Sequence, residues 1–157
     1  MKILHGHVEH DLPDSWWHGA QMRAFVRGRE CYRANLGCYP GLPILELSPN
    51  DVEPLDRQLA YGVFRDAPSV MRILRAFQED VPLPPVQVVE AEVPGAKYRF
   101  RLQDGGHRFY AALAAGYARV PAVDVTHVSF SGNDIYLAGH LVGRKQDGPH
   151  SGRPTTR

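Results

Sequence analysis

Hydrophobic and polar positions alternate most cleanly over Tyr98-Arg99-Phe100-Arg101-Leu102, which predicts a strand with one buried face. The period then changes. Beyond Asp104-Gly105-Gly106, the residues Phe109, Ala112, Leu113 and Gly116 fall on one face of a helix. A second helix is predicted from Val70 to about Glu79, capped by Ser69, with Val70, Ile73, Leu74 and Phe77 at helical spacing. Pro82, Pro84 and Pro85 end it and introduce a strand, Val86-Gln87-Val88-Val89. Pro94-Gly95 makes a hairpin-like turn into the 98–102 strand, and Val120 to Val125 form the strand after the second glycine-ended helix. Upstream, Ile44-Leu45-Glu46-Leu47 reads as a short strand closed by the turn Ser48-Pro49-Asn50-Asp51, and the polar run 56–66 as a short helix followed by a loop.

The flanks are less regular. Residues 1–43 read as an irregular extension with one helical piece, capped by Asp14 or Ser15, running through Trp16, Trp17, Met22, Phe25 and Val26 and ending near Gly28. The tryptophan pair packs this extension on the main body; exposed base stacking is the alternative. Gly37 to Pro43 is a loop. Beyond Phe130 the pattern weakens, and from about Asp147 the abundance of Gly, Pro, Ser and Thr predicts a disordered tail. The chain therefore divides into an extension (1–43), a core domain (44–128) and a C-terminal extension (129–157).

Composition narrows the function classes. A chain of 157 residues, 43% hydrophobic and 22% charged, is one ordinary globular domain with enough chain to bury a core. A formal net charge of +1 argues against a sequence-independent hold on nucleic acid, although a local basic face stays open. No apolar run reaches the roughly 18 residues of a membrane span, and the N-terminus lacks the apolar region of a secretory signal, so a cytoplasmic location away from membranes is expected. Cys31 and Cys38 permit one disulfide but do not match zinc spacing, and read as buried or inert thiols. His5 and His7 would share one strand face near His10, so a metal site competes with mobile terminal histidines. Arg23, Arg27, Arg29 and Arg33 recur near helical spacing, either as a solvated face or as a basic stripe that touches nucleic acid or a nucleotide.

The strand–glycine–helix junction carries the chemistry. Two glycines permit an abrupt reversal and close approach by a ligand. A cation in the first turn of a helix opposes the helix dipole, so His107 and Arg108 make sense there if an anion sits above the amides. The amides of Gly106 and His107 with the Arg108 guanidinium would grip phosphate oxygens, and His107 would donate to a leaving phosphate or move a proton near neutral pH. Asp104 would orient His107, bind a metal-bridged phosphate, or simply cap the helix. The plain alternative for Arg108 is a structural ion pair.

The order of these parts resembles the ParB/sulfiredoxin superfamily. Leu47-Ser48-Pro49-Asn50-Asp51 is followed by a helix, Pro84-Pro85-Val86-Gln87-Val88, Asp104-Gly105-Gly106-His107-Arg108, Ala111 to Tyr117, and Val120-Pro121-Ala122-Val123. The likeness covers about residues 44–128, in the branch with an Asp-Gly-x-His-Arg motif. It implies an α+β fold, a small mixed sheet with flanking helices, that holds nucleotide phosphates on Asp104, Gly105, Gly106, His107 and Arg108. Sulfiredoxins carry a reactive cysteine where this chain has Gly106, so sulfinic-acid reduction is not expected. ParB partition proteins carry Gly-Glu-Arg-Arg and a further DNA-binding domain, which this chain is too short to hold. The motif is most similar to that of free-serine kinases and nucleotide-hydrolysing relatives, in which an acidic residue after the first strand acts as base; Asp51 or Glu53 falls in that segment.

The resemblance thus implies a nucleotide-dependent phosphotransferase or nucleotidase. Its ligands would be ATP, ADP or CTP, with Mg²⁺ as the accompanying ion and a small hydroxyl compound such as serine as acceptor. The competing readings are a ParB-like DNA-interacting or nuclease module and a non-catalytic nucleotide sensor.

Overall fold

The computed structural model describes residues 1–57 and 62–128, and the backbone of two short strands beyond them. The chain folds as a mixed α+β domain. Strands β1 (Lys2–His5) and β2 (Val8–Asp11) form an antiparallel hairpin. Helix α1 (Asp14–Gly19) and a 3-10 turn (Met22–Ala24) follow. After an irregular stretch come β3 (Leu45–Leu47), a 3-10 turn (Pro49–Asp51), α2 (Ala67–Gln78), β4 (Val86–Glu90), β5 (Phe100–Asp104), α3 (Gly106–Ala114) and β6 (Val120–Asp124). Strands β7 (Ile135–Leu137) and β8 (His140–Val142) pair antiparallel. The disordered tail expected from Asp147 lies outside the described residues.

The central sheet runs β3-β6-β4-β5. Strand β6 lies parallel to β4 and antiparallel to β3, and β4 and β5 form the hairpin turned at Gly95. All of Val120, Pro121, Ala122 and Val123 are buried, as befits an inner strand covered on both faces. One face, with Val86, Val88, Phe100, Leu102, Val120 and Ala122, packs on α2 through Val70, Ile73, Leu74 and Phe77 and on α3 through Phe109 and Ala112. The other, with Val89, Val123 and Val125, is covered by Cys38, Tyr39, Leu42 and Ile44. Tyr39 accepts a hydrogen bond from buried Gln87 at 2.9 Å there, so the loop expected at 37–43 is a structural cover.

The extension shares this core and departs most from expectation. Gly6, at φ +59°, turns the chain after His5, so the predicted strand face joining His5 to His7 does not exist. A side chain on Gly6 would also meet Pro54 at 2.8 Å. Ile3, Leu12, Ala20, Met22 and Tyr32 enter the main core, and Trp16 and Trp17 pack against it. The base-stacking alternative for the tryptophans gains nothing from this position. His5 is buried in a hydrogen-bond chain: Leu55 N–H donates to the Tyr110 hydroxyl, the hydroxyl bonds His5 Nδ1, and His5 Nε2 donates to the Pro49 carbonyl, each at 2.8 Å. His10 is buried against the Tyr110 ring, whereas His7 is exposed. Among the described residues no group of three or more metal-binding side chains comes together.

The predicted 16–26 helix stops at Gly19, and Gln21 at φ +59° breaks the chain before the 3-10 turn. Neither Asp14 nor Ser15 caps it; Pro13 holds that position. The basic stripe fails with the helix. Arg29 pairs with Asp80 at 3.0 Å, while Arg23, Arg27 and Arg33 lie on exposed, mostly irregular chain. No described helix is long and apolar enough to cross a membrane. Cys31 and Cys38 are both thiols; burial and Glu46, 3.4 Å away, push Cys31 up to about 11.

Candidate functional site

Strand β5 delivers Asp104 to the sheet's end, and Gly105 then turns the chain at φ +96°, ψ 26° into α3. Any side chain on Gly105 would sit 2.8 Å from Val86 Cγ1 and 2.8 Å from Arg108 Nη2. That leaves glycine as the residue that fits. Gly105 is the N-cap of α3, and no side chain caps the helix, so Asp104 does not have the capping role considered for it. Its carboxylate instead accepts from Arg108 Nη2 at 3.4 Å, an i,i+4 pair across the turn. The Arg108 side chain is 10% exposed, tucked under the Gly105 turn with one edge on the cleft. Both roles weighed for Arg108, cleft contact and structural ion pair, are therefore geometrically open to one side chain. Its charge is felt by Tyr32 and Tyr39, whose hydroxyls are nonetheless pushed up by burial.

The other helix starts at the same place. Asp66 caps α2, its Oδ2 accepting from Ser69 N–H at 2.9 Å, with Pro68 in the first turn. Ser69 is thus not the cap, and α2 begins at Ala67: proline needs no acceptor in a first helical turn, so it opens the helix rather than blocking it. The described part of segment 56–66 forms no helix; residues 58–61 lie outside the description.

Between the two helix starts lies a cleft of about 560 Å³. Arg57, Arg65, Arg72 and Arg108 line it together with His107 and the Gly105-Gly106 turn, and Asp104 is the one carboxylate among the described lining residues. Ile73, Pro82, Leu83 and Pro84 supply an apolar wall. A concavity lined mainly by one sign of charge concentrates its field on the ligand that enters.

His107 is half-buried. Its Nε2 accepts the Arg65 N–H at 3.0 Å, and its ring stacks on Phe64 with planes 24° apart. Burial holds the imidazole below its usual pKa; Arg65, Arg57 and Arg108 push the same way, and Asp66 opposes them. A ring nitrogen that accepts a backbone N–H leaves Nδ1 carrying the proton. One donor therefore remains for a ligand.

Of the residues singled out from sequence, Asp104, Gly105, Gly106, His107 and Arg108 meet in this cleft. Asp51 and Glu53 do not line it. Both are exposed beyond β3, where Asp51 N–H closes the 3-10 turn on Ser48 and Glu53 N–H bonds Phe100. Sequence reasoning missed Arg57, Arg65 and Arg72. The available signal was an arginine on each side of Asp66-Ala67-Pro68-Ser69, a helix start with its own acidic cap.

No family model, no curated protein and no solved structure matches this chain.

Proposed function

We propose that the cleft binds the phosphates of a nucleotide, and that the domain is a ParB/sulfiredoxin-like phosphotransferase or nucleotidase. One observation carries this reading: four arginines and an α3 start with no side-chain cap converge on a single concavity with one lining carboxylate. Arginine matches phosphate geometry through paired N–H donors, and the opening amides of a helix favour an anion. The size suits one small ligand. Collecting these cations in a concavity, rather than across an open face, favours a nucleotide over a DNA backbone.

In phosphoryl transfer a protein mainly positions groups and stabilises charge. Arg108 and the Gly106 and His107 amides would hold one phosphate, with Arg57, Arg65 and Arg72 around the others. The apolar wall from Ile73 to Pro84 would take the base or sugar. Mg²⁺ carried by the phosphates would find one carboxylate here, Asp104, which suffices for an ion that keeps most of its water. A general base from Asp51 or Glu53 lacks support in this arrangement.

Thermal denaturation with ATP, ADP, CTP and inorganic triphosphate tests it, since a ligand of the native state raises Tm. At least one should do so, and Arg57→Gln with Arg72→Gln, both on the exposed rim, should weaken binding about tenfold without lowering Tm in its absence. Phosphoserine or nucleoside product on incubation with serine would establish transfer or hydrolysis. A Tm unmoved by all four compounds would end the reading.

A further inference from the structure

We propose that His107 is a positioning residue: its neutral imidazole accepts the Arg65 amide and so holds the arginine-bearing approach to α2 against the start of α3. The inference rests on the cleft being the anion site proposed above. The geometry assigns the role. Arg65 and Asp66 are exposed, but Val63 and Phe64 beside them are 2% and 1% exposed and anchored in the core. His107 reaches this segment twice, through the 3.0 Å hydrogen bond to Arg65 N–H and through its ring on Phe64. The next residue, Asp66, caps α2. The ring therefore ties the Arg65 end of this core-anchored segment to the start of α3.

Protonation would turn the accepting nitrogen into a donor facing a donor. It would also add a charge beside Arg57 and Arg65 from the segment and Arg108 from its own helix, against Asp66. Two roles for His107 now predict opposite responses to acid. A histidine that touches phosphate as a cation tightens binding as pH falls. A histidine that must stay neutral to hold Arg65 loosens it.

The test compares the full-length chain with His107→Gln, whose amide oxygen can accept the same N–H without titrating, and with His107→Ala. Calorimetry with inorganic triphosphate between about pH 7.5 and 5.5 spans the imidazole range. The anion's own protonation is common to all three proteins, so the ratio of wild-type to His107→Gln affinity isolates the ring. That ratio should fall as pH falls. At neutral pH, His107→Ala should bind about fivefold more weakly and exchange its Arg65 amide hydrogen about fivefold faster, and His107→Gln should recover both. A ratio that rises in acid, or an Arg65 amide that exchanges equally in wild type and His107→Ala, overturns the proposal. If wild type fails to bind triphosphate at any pH, the anion-site reading falls instead, and Arg65 exchange still decides the role of His107.

Discussion

Helices α2 and α3 both start at the cleft, and their starts are built in opposite ways. The first amides of any helix need acceptors, and the helix dipole makes its start electropositive. At α2 the chain answers both needs itself, with the Asp66 carboxylate on Ser69 N–H and with Pro68, which has no N–H to satisfy. At α3 the cap is Gly105, no side chain caps the helix, and the first turn carries Arg108, paired with Asp104 across the turn. One start is finished for stability. The other leaves its first amides without a side-chain acceptor, the opening that the proposed phosphate site would use.

The most damaging way to break this contrast is Gly105→Ala. Its Cβ must occupy a left-handed backbone at φ +96° and come within 2.8 Å of Val86, whose side chain is buried in the core and cannot step aside. The expected loss is about 2–4 kcal/mol, read as a lower urea midpoint or a lower Tm. Arg108, equally close to that Cβ, should shift with it, so anion binding should fall too. A variant as stable as wild type would show that the turn differs from the one described.

Acid acts on the seam between the two starts and on the buried histidines behind it. His107, His5 and His10 are each held below the usual imidazole value of about 6.5, chiefly by burial. A native pKa below the unfolded one means the unfolded chain binds more protons. Stability is therefore whole above about pH 6.5 and is lost as pH falls through the unfolded value towards the native ones. Asp66, held low by its bond to Ser69, works in another window: its share is lost only below about pH 4. Tm should already decline between pH 7 and 5. A flat Tm there would mean the three rings are not kept neutral by the fold.

This seam also shows what could be read from sequence. Strands β3 to β6, both longer helices and the 104–108 junction follow from alternation, helical spacing and paired glycines, because each signal is local and the residues are apolar where the core needs them. The β1–β2 hairpin was equally periodic, with Ile3, His5, His10 and Leu12 facing inward, but two of its buried positions are histidines, so the pattern looked polar. The cleft was legible on one side only. His107 and Arg108 announce themselves beside glycines, whereas Arg57 and Arg65 reach the same space from a segment with no repeating pattern of its own, and Arg72 reaches it from the exposed face of α2.

A milder test exchanges the cap itself. Asp66→Ala removes the acceptor of Ser69 N–H and should lower Tm by about 2–4 °C. Asp66→Asn keeps an accepting oxygen and loses only the charge, so Tm should stay within about 1 °C of wild type. Because Asp66 is the carboxylate that opposes the arginines around His107, the asparagine variant should bind triphosphate several-fold more tightly at low salt, an effect that shrinks as salt screens it. Unchanged affinity in both variants would separate the two helix starts electrically and remove Asp66 from the account of the cleft.

The smallest effect belongs to Gly106→Ala, one residue from the most damaging change. Gly106 has helical dihedrals, and a Cβ there would meet Leu55 Cδ1 at 3.6 Å, ordinary contact with the end of a flexible side chain. Alanine restricts the unfolded chain without straining this native backbone, so stability should be unchanged or higher by up to about 1 kcal/mol. The added methyl stands at the mouth of the α3 amides, however, where a phosphate would rest. Calorimetry with triphosphate should therefore show weaker binding in a protein at least as stable as wild type. That split matters, because Gly105→Ala lowers stability and affinity together and leaves open whether the anion site or the fold was lost. If Gly106→Ala raises Tm and binds triphosphate as well as wild type, the phosphate does not approach α3 along its axis, and the rim arginines, not the helix start, must hold it.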